Sequence, residues 1–315
     1  HAELFDEAQW PEGITIMGMG LLEGEKMSSS KGHVVLPGKA IENYGADTVR
    51  FFLLNSAEPW QDYDWRADQV EGVEDQLRRF WNRAQELIDD EAAAAEGVDP
   101  ESDLEHIDRW LLSKLQTTIS DVTAALDNAE TRTASQAAFY GFEEHLKWYR
   151  RRADLDRDGA QWTLRHVLET RLRLLAPFVP FMTNELHEQL TGTPAEDAPW
   201  PEVDERWESP RTETEERQIE RLADDIQDIL TVTEQNPETI RVYVAADWKR
   251  EVFETVREVG TDVGQIMGEV MGDPDLRERG DAVNDLAQDL VELIRGVDDE
   301  TLDAMSEIDE GSTYE

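Results

Sequence analysis

The chain has 315 residues, enough for two or three domains that each bury a core of their own. With 72 acidic against 30 basic residues it carries a formal net charge of −42, yet 39% hydrophobic content and long amphipathic runs exclude disorder as the source of that acidity. There is no cysteine, which excludes disulfides and thiolate zinc sites, and no stretch approaches the ~20 apolar residues of a membrane span.

In chain order, Gly13–Leu22 (GITIMGMGLL) reads as a buried strand that leads into the loop 24-GEKMSSSKGHVV-35. That loop places two of the six lysines, Lys26 and Lys31, around Ser28, Ser29 and Ser30, with glycines at both ends. Lysine meets a phosphate as a compact point charge, hydroxyls add donors, and glycine lets a backbone approach closely. A polar surface loop has the same composition, and on these residues alone it is the simpler reading. Asp47–Leu54 (DTVRFFLL) then reads as a helix after Gly45, and Asn55–Arg66 as an aperiodic, aromatic connector.

Four helical patterns follow. Val73, Leu77, Phe80, Trp81, Ala84, Leu87 and Ile88 form the first apolar stripe, and Leu111, Leu115, Ile119, Val122 and Leu126 the second. A linker with Gly97 and Pro100 joins them. The third helix runs from Thr133 to Arg152, and the fourth from Trp162 to Leu175, where Pro177 and Pro180 forbid continuation. A short helix over Asn184–Leu190 completes a predicted bundle. Its His187 lacks the second histidine of a metal pair, and no metal site is expected.

Thr191–Glu213 has no apolar period and reads as a linker. Beyond it come a helix over Glu215–Glu234, a short β-branched strand over Ile240–Ala246, and a helix capped by Asp247. Further helical patterns lie at Val263–Met271 and Val283–Ile294, so the terminal unit reads as a small α/β domain. The acidic tail after them is expected to fray.

Among cations, arginine outnumbers lysine 24 to 6. A dense carboxylate surface with little lysine suits concentrated salt, where the Debye length falls to roughly 3 Å at 1 M and self-repulsion fades. The composition is therefore read as that of an extreme halophile. In such salt the phosphate contribution to binding weakens for every protein, so a net −42 does not exclude RNA. A secretory signal is absent and a cytoplasmic location is expected. The chain also begins at His1 inside an apolar pattern, as a piece of something longer would.

KMSSSKGHVV followed by AIENYGADTVRFFLL resembles the KMSKS region of class I aminoacyl-tRNA synthetases, with K-M-S-x-S falling on Lys26, Met27, Ser28, Ser29 and Ser30. AIENYGADTVRFFLLNSAEPWQDYDWR, together with FDEAQWPEGI, HLKWYRRR, LLAPFVPFMTNELHEQL and VYVAADWKREVFE, is most similar to the archaeal and eukaryotic type of leucyl-tRNA synthetase. The resemblance runs over nearly the whole chain, with several motifs in the family's order. It implies a mainly α architecture in three parts. Residues 1–71 end a Rossmann-type catalytic domain that carries the loop and connector. Residues 72–205 are the anticodon-binding bundle, and 206–315 a C-terminal α/β tRNA-binding domain open to being incomplete.

The chemistry implied is ligation of leucine to its tRNA through leucyl-adenylate, using ATP with Mg²⁺ in the full-length protein, which is expected to be a monomer without membrane contact. By that resemblance Lys26 and Lys31 stabilise the departing pyrophosphate, and residues 26–31 hold ATP. The usual second lysine of the signature is replaced by Ser29, which leaves Lys31 to take over its work. Lys147, Trp148, Arg150, Arg151 and Arg152 are expected to contact tRNA, with Lys249 and Arg250 as further contacts and Arg78, Arg79 and Arg83 as weaker ones. Unaided, KWYRRR reads equally as a helix with aromatic core residues and arginines paired to Asp154, Asp156 and Asp158. An isoleucyl, valyl or methionyl enzyme, or a non-catalytic RNA-binding descendant of a synthetase, are the competing readings. On any of them, the fragment alone is expected not to aminoacylate, because the partner motifs of the active site would lie upstream.

Overall fold

The structure is a computed structural model that describes residues 13–89, 97–234, 236–237, 239–242, 244–297 and 302. The FDEAQWPEGI motif up to Glu12, much of the first helix–helix linker and almost all of the acidic tail lie outside the described residues. The chain divides into two compact units, His1–Glu208 and Ser209–Glu315.

The first unit opens with a small mixed sheet of β1 (Gly20–Leu22), β2 (Glu25–Lys26) and β3 (Tyr63–Trp65), in the order β2-β1-β3. β1 pairs antiparallel with β2 and parallel with β3. The expected long strand is cut to its last three residues. A strand extends only as far as a neighbour's backbone accompanies it, and beyond Gly20 that partner is a loop. Gly18 N–H donates to the Pro59 carbonyl (2.7 Å) and Met19 N–H to the Asp62 carboxylate (2.6 Å). A Cβ at Gly18 would lie 1.9 Å from the Gln61 carbonyl oxygen, so this crossing needs glycine. Upstream, Ile14 and Ile16 are 87% and 78% exposed, so that part of the apolar run is not the buried strand its pattern suggests.

Helices α1 (Pro37–Tyr44) and α2 (Ala46–Ser56) follow, separated by Gly45 at φ +81°. The bundle is built from α3 (Ala67–Asp89), α4 (His106–Asp127), α5 (Thr131–Ser135), α6 (Phe142–Arg152), α7 (Asp158–Leu175) and α8 (Pro180–Thr191). The predicted single helix over Thr133–Arg152 is instead α5 and α6 joined through a wide π turn, Gln136–Gly141. The apolar stripes read from the sequence are buried: Leu77 and Phe80 on α3, Leu111, Leu115 and Val122 on α4. Inside the bundle the Asp108 carboxylate accepts from the Tyr149 hydroxyl and pairs with Arg157 at 3.0 Å. Burial first, and the Asp108 carboxylate second, push the Tyr149 hydroxyl far above its ordinary range, so it stays protonated.

The loop-bearing segment is tied to the bundle by side chains that cap helices distant in sequence. Glu58, buried in the connector, accepts from the Arg132 and Thr133 amides (3.1 and 2.9 Å) and from the Thr133 hydroxyl (2.8 Å) at the start of α5. Asp47 on α2 accepts from the Phe181 and Met182 amides (3.3 and 2.7 Å) in the first turn of α8. Each carboxylate satisfies amides that a helix leaves without an internal partner and meets the positive end of its dipole.

The second unit holds α9 (Pro210–Thr233), α10 (Asp247–Val259), α11 (Val263–Val270), α12 (Pro274–Glu278) and α13 (Gly280–Ile294). Val252, Val256, Ile266, Val270, Leu276, Val283, Ala287 and Val291 form its core. The strand expected over Ile240–Ala246 does not form among the described residues, where Ile240, Val242 and Val244 are 50%, 43% and 47% exposed. β-branched content specifies a strand only when another strand supplies hydrogen bonds.

Replacing Glu58 by Ala is expected to cost about 2 kcal/mol, because three donors lose one carboxylate. Glu58→Gln, which keeps an acceptor oxygen, should cost less. Urea unfolding in concentrated KCl reads both, and equal stability of Glu58→Ala and the parent chain would refute the clamp.

Candidate functional site

The loop with the two lysines is closed at its base and open at its tip. β1 and β2 join through Glu23 and Gly24, both at positive φ (53° and 81°), the geometry of a two-residue hairpin turn. Gly24 N–H donates to Asp64 on β3 (2.8 Å), and Arg66 pairs with the same carboxylate at 2.7 Å. The Gly24 amide, then Arg66, hold the Asp64 carboxyl below the usual carboxylate range. After Lys26 the chain folds back on itself: Ser28 N–H donates to His33 O (2.7 Å), and His33 N–H to Ser28 O (3.1 Å). The His33 ring nitrogen Nε2 reaches the Leu22 carbonyl at 2.9 Å and returns the exit of the loop to β1.

Between those anchors Ser29–Lys31 form a single 3₁₀ turn, with Gly32 at φ +70° behind it. The Ser28 and Ser30 hydroxyl oxygens lie 3.1 Å apart. Lys26 and Lys31 stand at the two ends of this turn, both exposed and neither in an ion pair among the described residues. In a chain this acidic, two exposed ammonium groups at the ends of one turn, with the Ser28 and Ser30 hydroxyls between them, are a local excess of positive charge and of donors. Lys31 closes the 3₁₀ turn, so the second cation is present although Ser29 occupies the usual position for it.

On the bundle, the KWYRRR stretch divides by helix phase. Trp148 and Tyr149 face inward, 7% and 0% exposed, while Lys147, Arg150, Arg151 and Arg152 face outward. Trp148 is therefore not available as a stacking surface, contrary to the expectation that it touches a ligand. Its ring instead carries the Arg151 guanidinium, 5.2 Å from the centroid. Lys147 pairs with Glu144 (2.6 Å) on its own helix.

The structure brings α3 to the same place. Arg83 pairs with Glu143 at 2.8 Å, and Arg79, Asn82, Arg83, Tyr140 and Lys147 line one cleft of about 580 Å³. Arg79 and Arg83, rated weaker from sequence, thus share a surface with α6, whereas Arg78 is outside the cleft lining and pairs with Asp75. Beneath the cleft lies Arg171 of α7, 3% exposed, a residue that sequence reasoning missed. It donates to Glu143 (2.9 Å) and to the Phe139 carbonyl (3.1 Å), and it lies over the Phe80 and Phe142 rings at 5.2 and 5.1 Å. The signal that could have found it was an arginine on the apolar face of α7. In the second unit, Trp248 packs on the core, with Lys249 and Arg279 each 5.7 Å from its ring centroid. Arg279, 30 residues after Lys249, joins that group only through folding.

Comparison with known proteins places family matches on these regions. Residues 108–244 match a model for the anticodon-binding domain of tRNA ligases, and residues 2–82 a model for class I tRNA synthetases (M). A leucine–tRNA ligase of Methanothermobacter thermautotrophicus is 37% identical over 94% of this chain and 31% of its own length. One from Methanopyrus kandleri is 38% identical over 92% of this chain and 30% of its own length. The chain thus spans about a third of the curated relatives it matches. Among solved structures, the LeuRS–tRNA–LeuAMS ternary complex of Agrobacterium radiobacter K84 aligns at 23% identity and a TM-score of 0.48, over 61% of this chain and 24% of that one.

The two arginines of the cleft region should separate cleanly. Arg171→Ala is expected to destabilise the chain by roughly 3 kcal/mol, since it removes a buried partner of Glu143, leaving it the Arg83 ion pair, and the donor to the Phe139 carbonyl. Arg151→Ala, at the surface, should change stability by no more than about 0.5 kcal/mol. Denaturant midpoints compare them, and similar losses for both would contradict the division between inner and outer cations.

Proposed function

We propose that this chain is the C-terminal part of a class I leucyl-tRNA synthetase, the ligase that joins leucine to its tRNA through leucyl-adenylate. The observation that carries the reading is the 37% identity to a leucine–tRNA ligase over 94% of the chain. The exposed lysine pair on the K-M-S-x-S loop supplies chemistry that such an enzyme needs. That pattern alone is shared among class I enzymes, and the choice of leucine rests on the match continuing through the bundle and the second unit.

In this reading residues 1–71 end the catalytic domain, 72–205 form the anticodon-binding bundle, and 206–315 form the C-terminal tRNA-binding domain. Adenylate formation joins a leucine carboxylate oxygen to the α-phosphorus of ATP and breaks the bond to the β-phosphate, so pyrophosphate leaves with the electron pair. Negative charge grows on that leaving group. Lysines that meet the charge as it develops lower the barrier, whereas equal grip on ground-state ATP would not. Lys26 and Lys31 take that role, and Ser28 and Ser30 supply donors at the turn. The Asp64–Gly24 and His33–Leu22 bonds hold the base of the loop, and the tip is left to close on the phosphates. Mg²⁺ would accompany ATP; among the described residues no cluster of His, Asp or Glu is arranged to hold it, and no step of this chain is assigned to it.

Lys147, Arg150, Arg151 and Arg152, joined by Arg79 and Arg83, form the tRNA surface of the bundle, while Trp148 acts by holding Arg151. Lys249, Arg250 and Arg279 are the second contact. The acidic surface is that of a cytoplasmic, monomeric enzyme working in concentrated salt, where screening relieves carboxylate repulsion.

Replacing Lys26 and Lys31 together by Ala in the full-length protein should slow leucyl-adenylate formation on the order of 10²-fold or more, with tRNA affinity retained. Pyrophosphate exchange that matches the parent rate would sink the loop assignment. Replacing Arg150, Arg151 and Arg152 by Ala should weaken tRNA binding about tenfold and leave adenylate formation intact. Loss of both activities together would make those arginines structural.

A further inference from the structure

A second cleft, of about 580 Å³, is lined by residues of α4, α7 and the segment around Trp207, shares none of the cations just described, and has no part in the adenylate chemistry. Its wall is aromatic. Trp162 and His166 stack in parallel, with centroids 5.1 Å apart and 3° between planes, and Trp207 lies 6.2 Å from Trp162. Burial lowers the pKa of His166, so the wall presents a neutral imidazole at neutral pH.

Arg173 lines the same cleft with its hydrogen bonding incomplete. Among the described residues its Nε–H is buried without a partner, and its Nη2 makes a long hydrogen bond to the Thr170 hydroxyl (3.4 Å) and a loose ion pair with Glu169 (3.7 Å). The other guanidinium groups of the lining are already committed. Arg206 is held by Asp204 at 2.6 Å, and Arg109 donates to the Glu101 carbonyl at 2.6 Å. Asp99, Glu101 and Glu202 add carboxylates to the lining, beside the Asp204 that holds Arg206.

These features select among ligands. A phosphate would meet carboxylates in excess of the one loosely held guanidinium, and a purely apolar molecule would leave the Arg173 hydrogen bonding incomplete, at a cost. A flat neutral heterocycle that offers acceptors on one edge and donors on the other satisfies both sides. Guanine does this: O6 and N7 accept from a guanidinium fork, and its N1–H and N2–H groups donate to carboxylates. Adenine puts an amino donor beside N7, against the guanidinium. Recognition of a neutral base also survives concentrated salt, because stacking is not screened.

We propose that the cleft walled by Trp162, His166 and Trp207 binds a single guanine base, with Arg173 reading its O6/N7 edge. The proposal stands apart from the synthetase assignment, because free guanosine is sufficient to test it.

The experiment is titration of the 315-residue chain with guanosine, adenosine and GMP in concentrated KCl, followed by tryptophan fluorescence and calorimetry. Guanosine should bind saturably, at least about tenfold more tightly than adenosine, and GMP should bind no more tightly than guanosine because of the acidic opening. Arg173→Met should lose guanosine binding about tenfold or more while its unfolding midpoint stays near that of the parent. If that variant unfolds, Trp207→Ala at the edge of the cleft gives a second reading and should also weaken guanosine. Absent guanosine binding, equal affinity for adenosine, or GMP binding more tightly than guanosine would each overturn the proposal. Two RNA hairpins, with one unpaired G or one unpaired A, then identify the source. An Arg173-dependent preference for the G hairpin assigns the site to an RNA base, and guanosine binding without that preference assigns it to the free nucleoside.

Discussion

Two carboxylates that cap helices far away in sequence hold the first unit together as one body. Glu58 satisfies the first amides of α5, and Asp47 those of α8. Around them, Arg50 donates to the Pro177 carbonyl at 2.9 Å, and Asn55 accepts from Ser135 and Gln136 at 3.0 and 2.8 Å. The carboxylate and guanidinium bonds among these join a charged group to a backbone dipole and not to an opposite charge, so they resist salt better than exposed ion pairs. Apolar contacts extend the connection. Phe51 of α2 meets Phe139 of the π turn at 5.1 Å, and Phe52 meets Trp65 of β3 at 5.2 Å. The sheet that carries the lysine loop is thus fixed to the bundle that carries the arginines.

The same logic explains how cations remain useful on so acidic a chain. Inside, Arg171 is held by Glu143, by carbonyls that the wide π turn presents, and by two aromatic rings, so its charge organises α3, α6 and α7 and is not offered to a ligand. Outside, Arg151 lies over Trp148, where the buried indole fixes a surface guanidinium at little entropic cost. The loop lysines are treated differently again. Their backbone is tied down at Asp64 and His33, and their ammonium groups are in no ion pair among the described residues. Rigid at the base and free at the tip is the arrangement a loop needs if its charge is to meet a phosphate late in a reaction.

Much of this was legible along the chain. The apolar spacing of α3, α4 and α7 announced the bundle, because a helix that buries one face repeats its apolar residues every three to four positions. The loop was legible because lysine, serine and glycine are concentrated there in a sequence otherwise poor in lysine. Strands were read less well. Ile14 and Ile16, and later Ile240, Val242 and Val244, have the composition of strands but stand exposed, since a strand exists only with a partner that the local sequence does not name. Trp148 was left between two readings for a related reason: aromatic residues beside arginines suit both a core and a ligand surface, and the phase of the helix buries this one.

The sequence by itself therefore determined the helical bundle, the acidic surface, and the concentration of lysine, serine and glycine in one loop, all of which are local or periodic properties. Tertiary structure alone decided that Glu58 and Asp47 would cap α5 and α8, that Arg79 and Arg83 would share a cleft with Lys147, and that Arg173 would face an aromatic wall of Trp162, His166 and Trp207. Those partners are separated by tens of residues, and their pairing depends on which helix faces meet once the core has closed. Charge and shape become a site only at that distance scale, where spacing along the chain no longer carries the information.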